Sequence, residues 1–199
     1  MKKIETIWHY LLLGALEAKK YRYTQQEIAQ KFAYSLSTVN FALKAPSEIG
    51  AIRKESKFFV IADFKKLLYF WASQRNLSRD IIYLTYFPEA INEIEGLVPA
   101  GSIYACYSAA RRILGEPPAD YSTVHCYADE KILKEFKKRF PADHKHASNV
   151  VILKPPAAMQ AYGGITTLPQ TFVDIWNLKD WYSRDFVEKL EQKIDAVLS

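Results

Sequence analysis

The chain has 199 residues, a net charge of +5, 49% hydrophobic and 25% charged residues, the composition of an ordinary water-soluble protein of one large domain or two small ones. No apolar run approaches the roughly 20 residues needed to cross a bilayer, and the opening Met1–Trp8 lacks the uninterrupted apolar core of a secretory signal. The expected compartment is therefore the cytoplasm, with no membrane partner.

Apolar residues at Ile4, Ile7, Trp8, Leu11, Leu12, Ala15 and Leu16 mark an amphipathic helix from Ile4 to about Lys20. Tyr21-Arg22-Tyr23 reads as a short extended link. Thr24 and Glu27 form a capping box for a second, short helix whose inner face is Ile28, Ala29 and Phe32. Ala33-Tyr34 is a turn, and Ser35 caps a third helix buried through Val39, Ala42 and Leu43 and ending near Pro46. Ala51–Arg53 and Phe58–Ile61 read as two strands of a hairpin joined by the polar Lys54–Lys57. Asp63 caps a fourth helix, Phe64 to about Asn76, whose apolar character suggests a connector packed between two domains, 1–76 and 77–199.

The second domain reads as a strand at 81–86 and helices at about 88–95 and 102–114. A strand follows at 123–127, then a basic helix from Asp129 to Phe140 and a strand at 150–153. A helix with Pro169 at its first position runs to about Leu178, and a last helix covers Ser183 to about Leu198. The fold class expected is α+β: a winged helix-turn-helix joined by a helix to a mixed α/β domain.

Charge divides along the same line. Residues 1–80 hold 14 Lys and Arg against 7 Asp and Glu, whereas residues 81–199 hold 13 against 15. A basic module fused to a near-neutral one is the electrostatic footprint of a nucleic-acid reader with an appended domain.

In the helix-turn-helix segment Thr24–Lys44, the small Ala29 suits a close helix crossing, and the helix after Ser35 projects its first-turn amides toward a phosphate. The candidate contacts to double-stranded DNA are Gln25, Tyr34, Ser35, Leu36, Ser37, Thr38, Asn40, Phe41 and Lys44, with Arg53, Lys54 and Lys57 on the wing. Asn40 suits adenine, and Ser37 or Thr38 suits base edges or phosphates. The helix is short of arginine, which points to modest affinity per monomer, raised by formation of a homodimer. Docking of another protein on the same module is the alternative.

Residues 24–61 resemble the winged helix of many prokaryotic regulators. The whole chain is similar to AbiEi-type antitoxins, the regulator halves of type IV toxin-antitoxin pairs. The similarity lies in the winged helix, the stretch Val98–Gly115 with its Gly101-Ser102 followed by a helix start, and Ile165-Thr-Thr-Leu-Pro-Gln-Thr-Phe-Val-Asp-Ile-Trp. The resemblance implies a sequence-specific transcriptional regulator that represses its own operon and has a cognate nucleotidyltransferase-like toxin as partner. The alternative is an interaction module that neutralises such a toxin, with DNA binding secondary.

Gly101-Ser102 and the strand Ser122–Tyr127 also resemble the opening of a nucleotidyltransferase fold. The positions of the magnesium-binding carboxylates are filled by Val124 and Cys126, so such a site would be dead. His144 and His146 share one face if extended, the spacing of a zinc pair, but an exposed polar loop explains them more simply. His125, inside an apolar strand, reads as a hydrogen-bonded core or interface residue. Lys131, Lys134, Lys137, Lys138 and Arg139 read as a solvated helix face, with a secondary DNA or toxin contact as the other reading. The stretch from Lys154 to Gly164 reads as a flexible loop suited to a partner. Cys106 and Cys126 are too few for a disulfide framework and read as buried free thiols. No catalytic triad, phosphate loop or zinc-ribbon spacing occurs, so neither an enzyme, a metal nor a cofactor is expected.

Overall fold

Helix α1 (Lys3–Ala18) carries the apolar stripe around which residues 1–75 pack, and Ile7, Leu11, Leu12 and Ala15 are wholly buried. The computed structural model describes residues 1–143, 145–156, 159 and 162–199. The chain divides into two compact units, Met1–Arg75 with Ile194–Ser199, and Asn76–Lys193. The sequence reading assigns 77–199 wholly to the second domain, whereas Ile194–Ser199 belong with the first unit. Both units mix helices with a sheet, so the fold class is α+β.

The first unit runs α1, β1 (Arg22–Tyr23), α2 (Gln25–Phe32), α3 (Leu36–Glu48), β2 (Ile52–Lys54), β3 (Phe59–Ile61) and α4 (Phe64–Gln74). The caps are those the sequence signals. Thr24 Oγ1 accepts from Glu27 N at 3.1 Å, Ser35 Oγ from Thr38 N at 3.2 Å, and Asp63 Oδ1 from Lys66 N at 2.9 Å. Between α2 and α3 the chain turns at Ala33, which takes left-handed backbone angles, φ 52° and ψ 41°. Pro46 lies inside α3, so the helix runs two residues past the expected stop. The Tyr21–Tyr23 link is a real strand: β1 pairs antiparallel with β3, giving the order β1-β3-β2.

Helix α4 packs on α1 and α3 and so is part of the first unit's core. There Trp71 Nε1 donates to Glu5 Oε2 at 3.2 Å, and the same carboxyl lies 3.6 Å from the buried Arg75 guanidinium. Gly14 has a steric reason for its place: a Cβ there would come within 2.1 Å of the Tyr23 hydroxyl, which donates to Lys20 O at 3.0 Å.

The second unit opens with a 3₁₀ turn (Leu77–Asp80) and β4 (Ile81–Thr85). It continues through α5 (Ile91–Leu97), β5 (Ile103–Ala105), α6 (Cys106–Leu114), β6 (Val124–Tyr127), α7 (Glu130–Arg139), β7 (Val150–Leu153), α8 (Leu168–Trp176) and α9 (Ser183–Leu198), whose residues from Ile194 on belong to the first unit. The sheet order is β4-β7-β6-β5, with β6 and β7 parallel across the α7 crossover and both edge strands antiparallel to their neighbours. Two expectations are corrected here. The helix expected over 102–114 begins as the strand β5, because Cys106 at φ 48° breaks the helical path at its start. Pro169 takes the second position of α8, not the first, since Leu168 opens it. One core of this unit joins Val124, Cys126, Val150 and Ile152 to Phe136 and Phe140 of α7 and Ile94 of α5.

Candidate nucleic-acid interface

Burial of Val39, Ala42 and Leu43 fixes the roll of α3, and Trp8 Nε1 holds it to α1 by donating to Ala42 O at 2.8 Å. The opposite stripe then faces outward at helical spacing: Leu36, Ser37, Asn40, Phe41 and Lys44 are all exposed. At its start Ser35 Oγ lies 2.9 Å from both Ser37 Oγ and Thr38 Oγ1, so three hydroxyls cluster at the helix N-terminus beside the amide that Ser35 caps. Leu36 and Phe41, both large and apolar, are 55% and 67% exposed on this stripe.

The hairpin of β2 and β3 adds positive charge next to this stripe. Arg53, Lys54 and Lys57 are exposed. Lys54 Nζ donates to Asn40 Oδ1 at 3.1 Å, so hairpin and helix meet at this pair. Arg53 Nε pairs with Glu55 Oε1 at 3.0 Å across open solvent. An exposed pair of this kind is worth about 0–1 kcal/mol, little obstacle to exchanging Glu55 for a phosphate.

Strand register reveals one residue that sequence reading misses. Val60 of β3 stands opposite Arg22 of β1 on one side and Arg53 of β2 on the other, so both arginines share the outer sheet face. The Arg22 guanidinium stacks 3.7 Å from the centroid of the Phe58 ring. Alternation in Tyr21-Arg22-Tyr23 is the only local hint, and two residues are too few to carry it.

The sequence-derived contacts separate into two groups. Ser35, Leu36, Ser37, Asn40, Phe41, Lys44, Arg53, Lys54 and Lys57 are exposed, whereas Gln25, Tyr34 and Thr38 are half-buried. Tyr34 stacks on Phe32 with centroids 5.5 Å apart and lies under Lys3 Nζ at 5.3 Å, so its ring is taken up by packing. Compared with protein families, curated proteins and solved structures, the chain has no match.

The second unit turns its chemistry inward. Val124 and Cys126 lie in the apolar core. Both cysteines are free and buried, and burial pushes the Cys126 thiol pKa up. On the other face of β6 Tyr127 donates to Asp174 Oδ2 at 2.8 Å, and Gln170 Nε2 donates to the same oxygen at 2.9 Å. His125 is buried, which lowers its pKa to about 4. The expectation of a hydrogen-bonded histidine is corrected at one atom: its Nδ1 has no hydrogen-bond partner among the described residues. Glu95, also buried, accepts from the Tyr121 hydroxyl at 2.6 Å and pairs with Arg111 and Arg112.

His146 is exposed, with Nδ1 3.0 Å from Asp143 Oδ2, while His144 lies outside the described residues. Residues 157, 158, 160 and 161 of the loop expected at 154–164 also lie outside them. Among the described residues no three His, Cys, Asp or Glu side chains group as a metal site would require. The basic residues of α7 are exposed; Lys138 pairs with Glu135 at 2.8 Å, and Arg139 donates to Leu97 O at 3.0 Å. No helix among the described residues is long and apolar enough to cross a membrane.

Proposed function

We propose that residues 1–75 form a winged helix-turn-helix that binds double-stranded DNA, with α3 in the major groove and the β2–β3 hairpin as the wing. The observation that carries this reading is the Lys54–Asn40 hydrogen bond of 3.1 Å, which joins a basic hairpin to the polar stripe of a capped helix in one exposed surface. A helix of this kind admits base readout by Asn40 and the hydroxyls, while Lys44, Arg53, Lys57 and Arg22 meet phosphates. The excess of Lys and Arg over residues 1–80 supports the same reading.

The protein is then a sequence-specific transcriptional regulator, of the self-repressing antitoxin type that its resemblance to AbiEi proteins implies. The test is an electrophoretic mobility shift of the full chain on the DNA upstream of its own reading frame. Retardation at low salt, with competitor DNA present, is expected; absence of retardation contradicts the reading.

A second reading, capture of a toxin partner through the second unit, is favoured by Trp181 and Trp176, which are 84% and 46% exposed there. Aromatic side chains left this open are frequent anchors of protein interfaces. Co-expression with the adjacent reading frame and co-purification tests it, and loss of the complex in Trp181→Ala is the expected signature.

A further inference from the structure

We infer that the α3 surface selects A·T base pairs and does so largely through the thymine methyl group, with Leu36 and Phe41 as the reading side chains. This deepens the DNA-binding proposal and rests on it. The argument begins with what the stripe lacks. Guanine is read in the major groove chiefly by arginine or lysine reaching O6 and N7, and α3 has a single cation, Lys44, in its second half. Lys54 has its ammonium turned to Asn40. The stripe has no carboxylate before Glu48 with which to accept from cytosine N4.

What the stripe does carry matches the edge of an A·T pair. Adenine offers a donor and an acceptor side by side, which a carboxamide meets with two hydrogen bonds. Lys54 donates to Asn40 Oδ1, which holds that oxygen toward the wing. A carbonyl oxygen has a second lone pair for adenine N6, and the amide nitrogen remains available for N7. Thymine adds the only apolar group in the groove, its C5 methyl. Leu36 lies one turn before Asn40 and Phe41 directly follows it, so an apolar side chain stands on each side of the carboxamide. Both are more than half exposed, although burying them in the protein would be favourable. Thymine methyl groups on the base pairs beside the adenine would cover them.

The experiment compares binding of the full chain to alternating d(A-T), d(A-U) and d(G-C) duplexes of equal length by fluorescence anisotropy. The first two present the same phosphates, the same minor groove and the same adenine, and differ only in the methyl. Each methyl removed from an apolar contact is expected to weaken binding roughly fourfold, so two contacts give about sixteenfold weaker binding to d(A-U). The d(G-C) duplex is expected to bind more weakly than either. The double variant Leu36→Ala/Phe41→Ala, changed only at exposed positions, is expected to bind d(A-T) and d(A-U) alike while keeping the wild-type salt dependence. Equal affinity of the wild type for d(A-T) and d(A-U) overturns the methyl inference and leaves DNA binding standing. Failure to bind any of the three duplexes overturns both.

Discussion

The α3 stripe of the first unit and the network beside β6 in the second use polar residues in opposite ways. In the first, Ser37, Asn40 and Lys44 stand on the outer face of a helix whose inner face is closed by Val39, Ala42 and Leu43. In the second, His125, Tyr127, Gln170 and Asp174 are buried. A polar side chain in water is easily exchanged and free to meet a ligand. A buried one has given up water, and its partners hold the fold. The contrast fits the recognition proposed for the α3 stripe, and it gives the buried polar groups beside β6 a structural part.

Asp174 is where this contrast is sharpest. Replacing it by Ala removes the acceptor for both the Tyr127 hydroxyl and the Gln170 amide in a site with no access to water. A loss of about 3 kcal/mol is expected in urea unfolding of the second unit. DNA affinity per folded molecule should be unchanged. A loss below about 0.5 kcal/mol would show that the network is not structural.

Acid acts on the same unit through His125. Burial holds its folded pKa at about 4, below the 6.5 of an exposed histidine. Between those values the unfolded chain binds a proton that the folded unit refuses, so stability falls as pH falls through that window. His9 in the first unit, held by burial at about 3, adds a loss of the same sign. Each is expected to remove about 2 kcal/mol by pH 5. Denaturant midpoints measured at pH 7 and pH 5 check this, and equal midpoints would contradict it.

Smaller effects are expected in the first unit. Ala33 sits exposed at φ 52°, where a Cβ is strained and glycine is not. Ala33→Gly is therefore expected to raise stability by about 1 kcal/mol, read as a higher unfolding midpoint. Asn40→Ala should change stability by less than about 0.5 kcal/mol, because its side chain is exposed and its hydrogen bond with Lys54 is open to water. Asn40→Ala and Asp174→Ala thus remove similar groups at very different cost, one mainly to binding and one mainly to folding.

What could be read from the sequence follows the range of the forces. Helices α1 to α4, with the caps at Thr24, Ser35 and Asp63, are written in residues three or four apart, and periodicity finds them. The exposure of Asn40 and Lys44 follows from the same periodicity once Val39 and Leu43 are inside. Arg22 is different: it becomes a neighbour of Arg53 only through pairing of both strands with β3, which no local pattern records. Strand β5 is three residues long and runs into the apolar start of α6, so it looks like a helix until Cys106 turns the chain. The Tyr127–Asp174 bond joins residues 47 apart in sequence, beyond any motif.

The salt dependence of binding to a mixed-sequence duplex tests the central claim most directly. Arg22, Lys44, Arg53 and Lys57 together are expected to give a slope of log affinity against log salt of about −4 between about 50 and about 200 mM. In the triple variant Lys44→Glu/Arg53→Glu/Lys57→Glu the slope should become shallower than about −2, with folding intact. A flat wild-type response, or the same slope in the variant, would contradict the assignment of DNA to this face.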